Sequence, residues 1–301
     1  MTTPPHWETD GRDWPNREAS RFVEAAGLRW HVQTMGTGPL LLMLHGTGAA
    51  THSWRALAPL LAEHFSVVAP DLPGHGFTSG RPRSGVSLPA VAGALKELLD
   101  ALDAEPAMTV GHSAGAAIAI QLSLDRAADG PIVAFNPALL PFPGLAAKLF
   151  PAMAKMLFVN PFAPRIFAGV ARRSGEVERF LARSTGSRID GDGVRDYTRL
   201  LGRSGHVDGA IGMMANWDLE TLKRRLPEVS APILLAHGTR DTAVPPSAMR
   251  EAAALISDAE IEMLDGLGHL AHEERPDLAA ALVRRFAADH AIGNVVDTGA
   301  G

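Results

Sequence analysis

Five short apolar runs, separated by stretches of helical periodicity, constrain this chain more than any other feature. Leu40-Leu41-Leu42-Met43-Leu44, Val67-Val68-Ala69, Met108-Thr109-Val110, Ile132-Val133-Ala134-Phe135 and Ile233-Leu234-Leu235-Ala236 are rich in β-formers and carry no charge. Without polar alternation they read as strands buried on both faces, the pattern of a parallel sheet. Residues 54–64, 88–102, 115–126, 247–256 and 276–290 read as helices. Within 88–102 the apolar Val91, Leu95, Leu98, Leu99 and Leu102 share one face, while Lys96, Glu97 and Asp100 fall elsewhere. Strands that alternate with helices predict an α/β fold with helices on both faces of a mostly parallel central sheet.

Two regions depart from that rhythm. Residues 22–24 and 28–34, around Gly27, alternate polar and apolar and predict an antiparallel hairpin at the sheet edge. From Asn136 to about Trp217 the sequence turns rich in Pro, Phe, Met and Ala, then basic at Arg172, Arg173, Arg179, Arg183 and Arg188, and strand character resumes only at Ile233. This interval predicts an inserted helical cap. The expected organisation is an N-terminal extension 1–21, a core built from 22–136 and 218–291, a cap over 137–217 and a disordered tail over 292–301. The Phe, Met and Pro content of 142–167 suits packing of the cap on the core, and equally a pocket for a large flat apolar ligand. The arginines read as a solvated face, with substrate carboxylates as the alternative.

Composition removes several function classes. A chain of 301 residues with 46% apolar content can bury a large core, and its net charge of −5 comes from interspersed residues. Nothing marks a polyanion-binding surface, so nucleic acid is not an expected partner. The absence of cysteine excludes disulfides, thiolate zinc sites and a cysteine nucleophile. Twelve histidines include no His-Glu-x-x-His pattern, the nearest pair being His269 and His272, and no metal site or cofactor is expected. The polar stretch 1–14 lacks the basic-then-apolar order of a secretory signal, which predicts a cytoplasmic protein. Pro131, Pro137, Pro141 and Pro143 break up the longest charge-poor region, so no transmembrane segment is expected.

Chemistry concentrates on Gly111-His112-Ser113-Ala114-Gly115, which follows an apolar run and precedes the helix-forming Ala116-Ala117-Ile118-Ala119. A strand that turns abruptly into a helix puts the serine in a strained conformation, and Gly111 and Gly115 relieve crowding on either side. The helix dipole favours negative charge at that point. A serine hydroxyl is a weak nucleophile and needs a base held by a carboxylate. Asp241, in the loop after 233–236, and His269, in the loop after 261–264, supply both in the order Ser, Asp, His. Each lies at the carboxyl end of an expected strand, where open α/β sheets build their sites. The turn Leu44-His45-Gly46-Thr47-Gly48 provides for an oxyanion hole from the backbone N–H groups of Thr47 and Ala114. His45 and Gly46 are read as supports of that loop, and Asp71-Leu72-Pro73-Gly74-His75-Gly76 as a structural turn beside it.

These segments together resemble the α/β-hydrolase superfamily over residues 22–288. The resemblance implies a Ser-His-Asp ester hydrolase, or a relative that uses the same triad for carbon–carbon hydrolysis or perhydrolysis. Serine at position 113 argues against dehalogenase and epoxide hydrolase chemistry, which places aspartate there. A narrower resemblance is carried by 10–23, by Leu28-Arg29-Trp30-His31-Val32-Gln33 and by Gly46-Thr47-Gly48-Ala49-Ala50-Thr51-His52-Ser53-Trp54-Arg55. These strings are similar to the magnesium-chelatase accessory proteins of bacteriochlorophyll biosynthesis and photosynthesis. That likeness implies an association with magnesium insertion into protoporphyrin. It also sets out two partners, an apolar ester or tetrapyrrole-like substrate and magnesium-chelatase components. The alternative to an enzyme is a non-catalytic accessory protein that binds a porphyrin or a chelatase component.

Overall fold

The computed structural model describes residues 2–141, 160 and 162–293. Its nine strands form one sheet: β1 (Ser20–Ala25), β2 (Leu28–Met35), β3 (Leu40–Leu44), β4 (Ser66–Pro70), β5 (Ser79–Gly80), β6 (Met108–His112), β7 (Ile132–Phe135), β8 (Ile233–Gly238) and β9 (Ala259–Leu264). They lie in the order β1-β2-β4-β3-β6-β7-β8-β9, with β5 beside β2. All pairings from β4 to β9 are parallel, and those of β2 with β1, β4 and β5 are antiparallel.

The period-two side-chain alternation of a strand divides the core. Leu42 and Leu44 face the helices Leu88–Ala101 and Ala114–Leu124, whereas Leu41 and Met43 face Leu57–Ala62 and Pro276–Asp289. The sheet is thus covered on both faces, as the apolar runs predict. The expected helix over 54–64 is shorter, beginning at Leu57 after a 3-10 turn Thr51–Trp54. Pro59, which lacks a backbone N–H, falls in the first helical turn, where no intrahelical bond is lost.

The expected antiparallel hairpin lies at the sheet edge, with β1 outermost and β2, its inner strand, buried along most of its length. The polar positions of β2 find partners inside the protein. His31 Nδ1 lies 2.8 Å from Asp71 Oδ2, and the Gln33 amide donates to the Pro15 carbonyl at 2.6 Å.

Between β7 and β8 lie the helices Ala163–Ala171, Glu176–Thr185, Gly191–Leu201 and Ser204–Asn216. They meet the core near the carboxyl ends of the strands, where Ala171, Val177, Leu181 and Tyr197 pack with Ala49 and Leu270. Of the basic stretch, Arg172 donates to the Gly202 carbonyl and Arg179 pairs with Glu176 on the surface. Of the stretch 142–167 expected to pack on the core, residues 142–159 and 161 lie outside the described residues, as does the expected tail from 294 onward. No helix among the described residues is long and apolar enough to cross a membrane.

Candidate active site

Strand β6 runs directly into the helix Ala114–Leu124, and Ser113 makes the turn with φ +50° and ψ −112°. A non-glycine residue held there stores about 1–3 kcal/mol of strain. Fixed neighbours hold it: the Ser113 N–H donates to Phe135 O at 3.0 Å, and its carbonyl accepts from the N–H groups of Ala116 and Ala138, each at 3.2 Å. Gly111 and Gly115 are needed for contact, not for backbone freedom. A Cβ on Gly115 would sit 1.9 Å from the Leu44 carbonyl oxygen, and one on Gly111 would sit 2.5 Å from Ala116 Cα. Ser113 itself is half-buried.

His269 and Asp241 come together from the loops after β9 and β8. His269 Nδ1 lies 2.7 Å from Asp241 Oδ2, with both side chains nearly or fully buried. The carboxylate only accepts, so Nδ1 carries a proton and donates it to Asp241. The other Asp241 oxygen accepts from the N–H groups of Ala243 at 2.7 Å and Val244 at 2.9 Å. Burial pushes the Asp241 carboxyl up. The hydrogen bond and charge of His269, helped by Val244 and Asn136, outweigh that and hold it below the ordinary carboxylate range. Asp241 is therefore ionised at neutral pH and is equipped to stabilise an imidazolium.

Four residues that support this pair and its backbone were not legible in the sequence. Asn136, one residue beyond β7, donates from Nδ2 to Asp241 Oδ2 at 2.8 Å. His112 Nε2 donates to the His269 carbonyl at 2.9 Å, and burial pushes its imidazole far below the usual histidine range, so it stays neutral. From the inserted helices, the Thr185 carbonyl accepts the His269 N–H at 2.7 Å, and Ser187 Oγ accepts the Leu270 N–H at 2.8 Å. An asparagine at a strand end before Pro137 is a weak local signal, and none of the others has one.

The Leu44–Gly48 turn lies against the serine. A Cβ on Gly46 would come within 2.7 Å of His112 Nδ1 and 3.1 Å of Ser113 Cβ, so only glycine allows this approach. His45 braces the turn, with Nδ1 donating to the Gly46 carbonyl at 2.8 Å and Nε2 accepting the Leu72 N–H at 2.9 Å. Among the described residues the backbone N–H groups of Thr47 and Ala114 have no hydrogen-bond partner. Asp71 anchors the neighbouring turn through His31 and the N–H groups of Thr51 and Phe77. Burial pushes its carboxyl up, but His31 and these donors hold it well below the usual range. Among the described residues no three histidine, aspartate or glutamate side chains are grouped to hold a metal ion. The arrangement gathers a hydroxyl on a strained turn, an imidazole oriented by a carboxylate, and backbone donors without partners among the described residues, the kinds of group that acyl transfer uses.

Residues 39–276 match the family model of the alpha/beta hydrolase fold. The chain is 39% identical to the magnesium-chelatase 30 kDa subunit of Rhodobacter capsulatus, over 90% of this chain and 95% of that one. It is 28% identical to a pimeloyl-(acyl-carrier protein) methyl ester esterase of Aeromonas salmonicida, over 85% of this chain and 98% of the esterase. Among solved structures the epoxide hydrolase CorEH shares the fold, with a TM-score of 0.77 at 22% identity over 90% of this chain and 99% of that one.

Proposed function

The chain belongs to the alpha/beta hydrolase fold family, and on that premise we propose that it hydrolyses an ester through Ser113, His269 and Asp241. His269 Nε2 takes the proton as Ser113 Oγ attacks the carbonyl carbon, Asp241 stabilises the resulting imidazolium, and the N–H groups of Thr47 and Ala114 receive the oxyanion. His269 then returns the proton to the leaving alcohol, and an attacking water releases the acyl group by the same steps in reverse roles. The observation that carries this reading is the buried 2.7 Å His269–Asp241 contact in a site that also holds the strained Ser113. Ester chemistry draws support from the methyl ester esterase among the relatives. An apolar ester, including one on a tetrapyrrole-like substrate, is the class we favour, in a pathway of magnesium-porphyrin or bacteriochlorophyll synthesis.

A fluorophosphonate probe tests the chemistry. Wild type is expected to label and to turn over a short activated ester, and Ser113→Ala to do neither while keeping its thermal transition. Equal activity in the variant would remove Ser113 from the reaction.

The likeness to a magnesium-chelatase subunit favours a second reading, an accessory protein that binds a porphyrin or a chelatase component with the triad secondary. Titration with protoporphyrin and its magnesium form, followed by absorbance, and a pull-down with chelatase subunits address it. Absence of saturable binding and of a recovered partner would leave that reading without support.

A further inference from the structure

The oxyanion turn is held by the core through His45 and also from the inserted helices. Within it the Gly46 carbonyl accepts from the Ala49 N–H at 3.1 Å and from His45 Nδ1 at 2.8 Å, and Gly48 takes φ +78°, as the third position of a type II turn requires. So short a turn keeps one direction for its central N–H groups only when other elements fix it. The helix Ser204–Asn216 does this at two points. His206, fully buried, lies with Nε2 3.0 Å from the Gly48 carbonyl and Nδ1 3.0 Å from the Gly76 nitrogen. Thr47 Oγ1 donates to Met213 Sδ at 3.2 Å. The helix approaches closely because glycines face each other: a Cβ on Gly209 would sit 2.0 Å from the Gly74 carbonyl oxygen.

Partner chemistry fixes the state of the ring. The Gly76 N–H is a donor, so Nδ1 accepts; the Gly48 carbonyl is an acceptor, so Nε2–H donates. Both demands are met by the neutral imidazole alone, consistent with burial pushing His206 down to about 4.

We infer that His206 is a positioning residue for ester hydrolysis. By bridging the Gly48 carbonyl and the Gly76 N–H, it fixes the turn that aims the Thr47 N–H at the oxyanion. Transition-state stabilisation thus depends on a residue of the inserted helices that touches neither substrate nor triad. The inference rests on the hydrolase reading proposed above.

The test compares His206→Ala, His206→Gln and His206→Asn with wild type on one activated ester, and on a trifluoromethyl ketone carrying the same acyl chain. The adduct of that ketone places its oxyanion in the same hole. His206→Ala is expected to lower kcat about 10- to 100-fold with KM changed less than about twofold, and to weaken the ketone by a similar factor. Glutamine, whose amide reaches the Nε2 position and donates to Gly48, is expected to restore most of both losses. Asparagine, which reaches only the Gly76 side, is not. If His206→Ala fails to fold, the contrast between glutamine and asparagine still decides.

Unchanged kcat and ketone affinity in a folded His206→Ala would overturn the inference, as would equal losses in glutamine and asparagine that merely follow thermal stability. Wild type that neither labels with the fluorophosphonate nor turns over ester would instead overturn the hydrolase reading itself.

Discussion

At the scale of single residues, Asp241 is set by its acceptors as much as by its partner histidine. Its two oxygens receive four hydrogen bonds, from Ala243, Val244, Asn136 and His269. The Asn136 contact links positions 105 residues apart in the chain. A hydrogen bond to a charged group contributes about 1.5–3 kcal/mol, so its loss changes how firmly the carboxylate stays ionised and in place. Asn136→Ala is therefore expected to lower kcat about tenfold or more with KM nearly unchanged, measured by steady-state ester hydrolysis. Ser113, Asp241 and His269 were legible in the sequence because each stands in a glycine-marked turn after an apolar run. Asn136 was not, because its partner arrives from another strand end.

At the scale of elements, a buried network joins the inserted helices to the loop that carries His269. Glu273, four residues beyond His269, accepts from the Tyr197 hydroxyl at 2.8 Å and pairs with Arg55, which also reaches Asp190 at 2.9 Å. Tyr197 and Asp190 belong to the helix Gly191–Leu201 and its N-cap, and Arg55 to the core turn after Trp54. Burial pushes Glu273 up to about 7 against the opposing pull of Arg55. Folding therefore takes up a proton at Glu273 between its ordinary value of 4.5 and about 7. The associated stability is complete below about 4.5 and is lost as pH rises through about 7.

Glu273→Gln removes this titration while keeping an acceptor for Tyr197. Urea unfolding of both proteins across pH 4 to 8 is expected to show wild type losing stability relative to the variant, by on the order of 3 kcal/mol, with the change flattening above neutrality. A difference independent of pH would show that folding leaves the Glu273 carboxyl at its ordinary value, and wild type gaining stability as pH rises from 4 would show it held ionised. Nothing in the sequence marked this network: Glu273 and Arg55 look like ordinary surface charges until the fold buries them.

At the scale of the whole molecule, the candidate site lies where three parts of the chain meet. The core supplies Ser113, Asp241, His269 and the Leu44–Gly48 turn, and the inserted helices hold the backbone of His269 and Leu270 and the carbonyl of Gly48. The N-terminal residues lock the other two together. Trp14 is buried with Nε1 donating to Thr51 at 3.0 Å, Trp7 packs edge-on to Phe22 and Phe77, and Asp10 pairs with Arg203 beside the helix that carries His206. Trp14→Ala is expected to cost about 3–5 kcal/mol in urea unfolding, the range for truncating a buried tryptophan. A loss below about 1 kcal/mol would show that this segment rests on the surface without supporting it.

The sequence by itself determined the strand and helix alternation, the turn that carries Ser113 and the placing of Asp241 and His269 in loops after later strands. Those features depend on local periodicity, glycine placement and the few backbone shapes a short segment can take. Only the tertiary structure decided that β2 lies inside the sheet, that Asn136 and His112 support Asp241 and His269, and that His206 reaches the Leu44–Gly48 turn from the inserted helices. These outcomes depend on which buried polar groups find partners across the fold, and hydrogen bonding between distant segments leaves no periodic trace in the sequence.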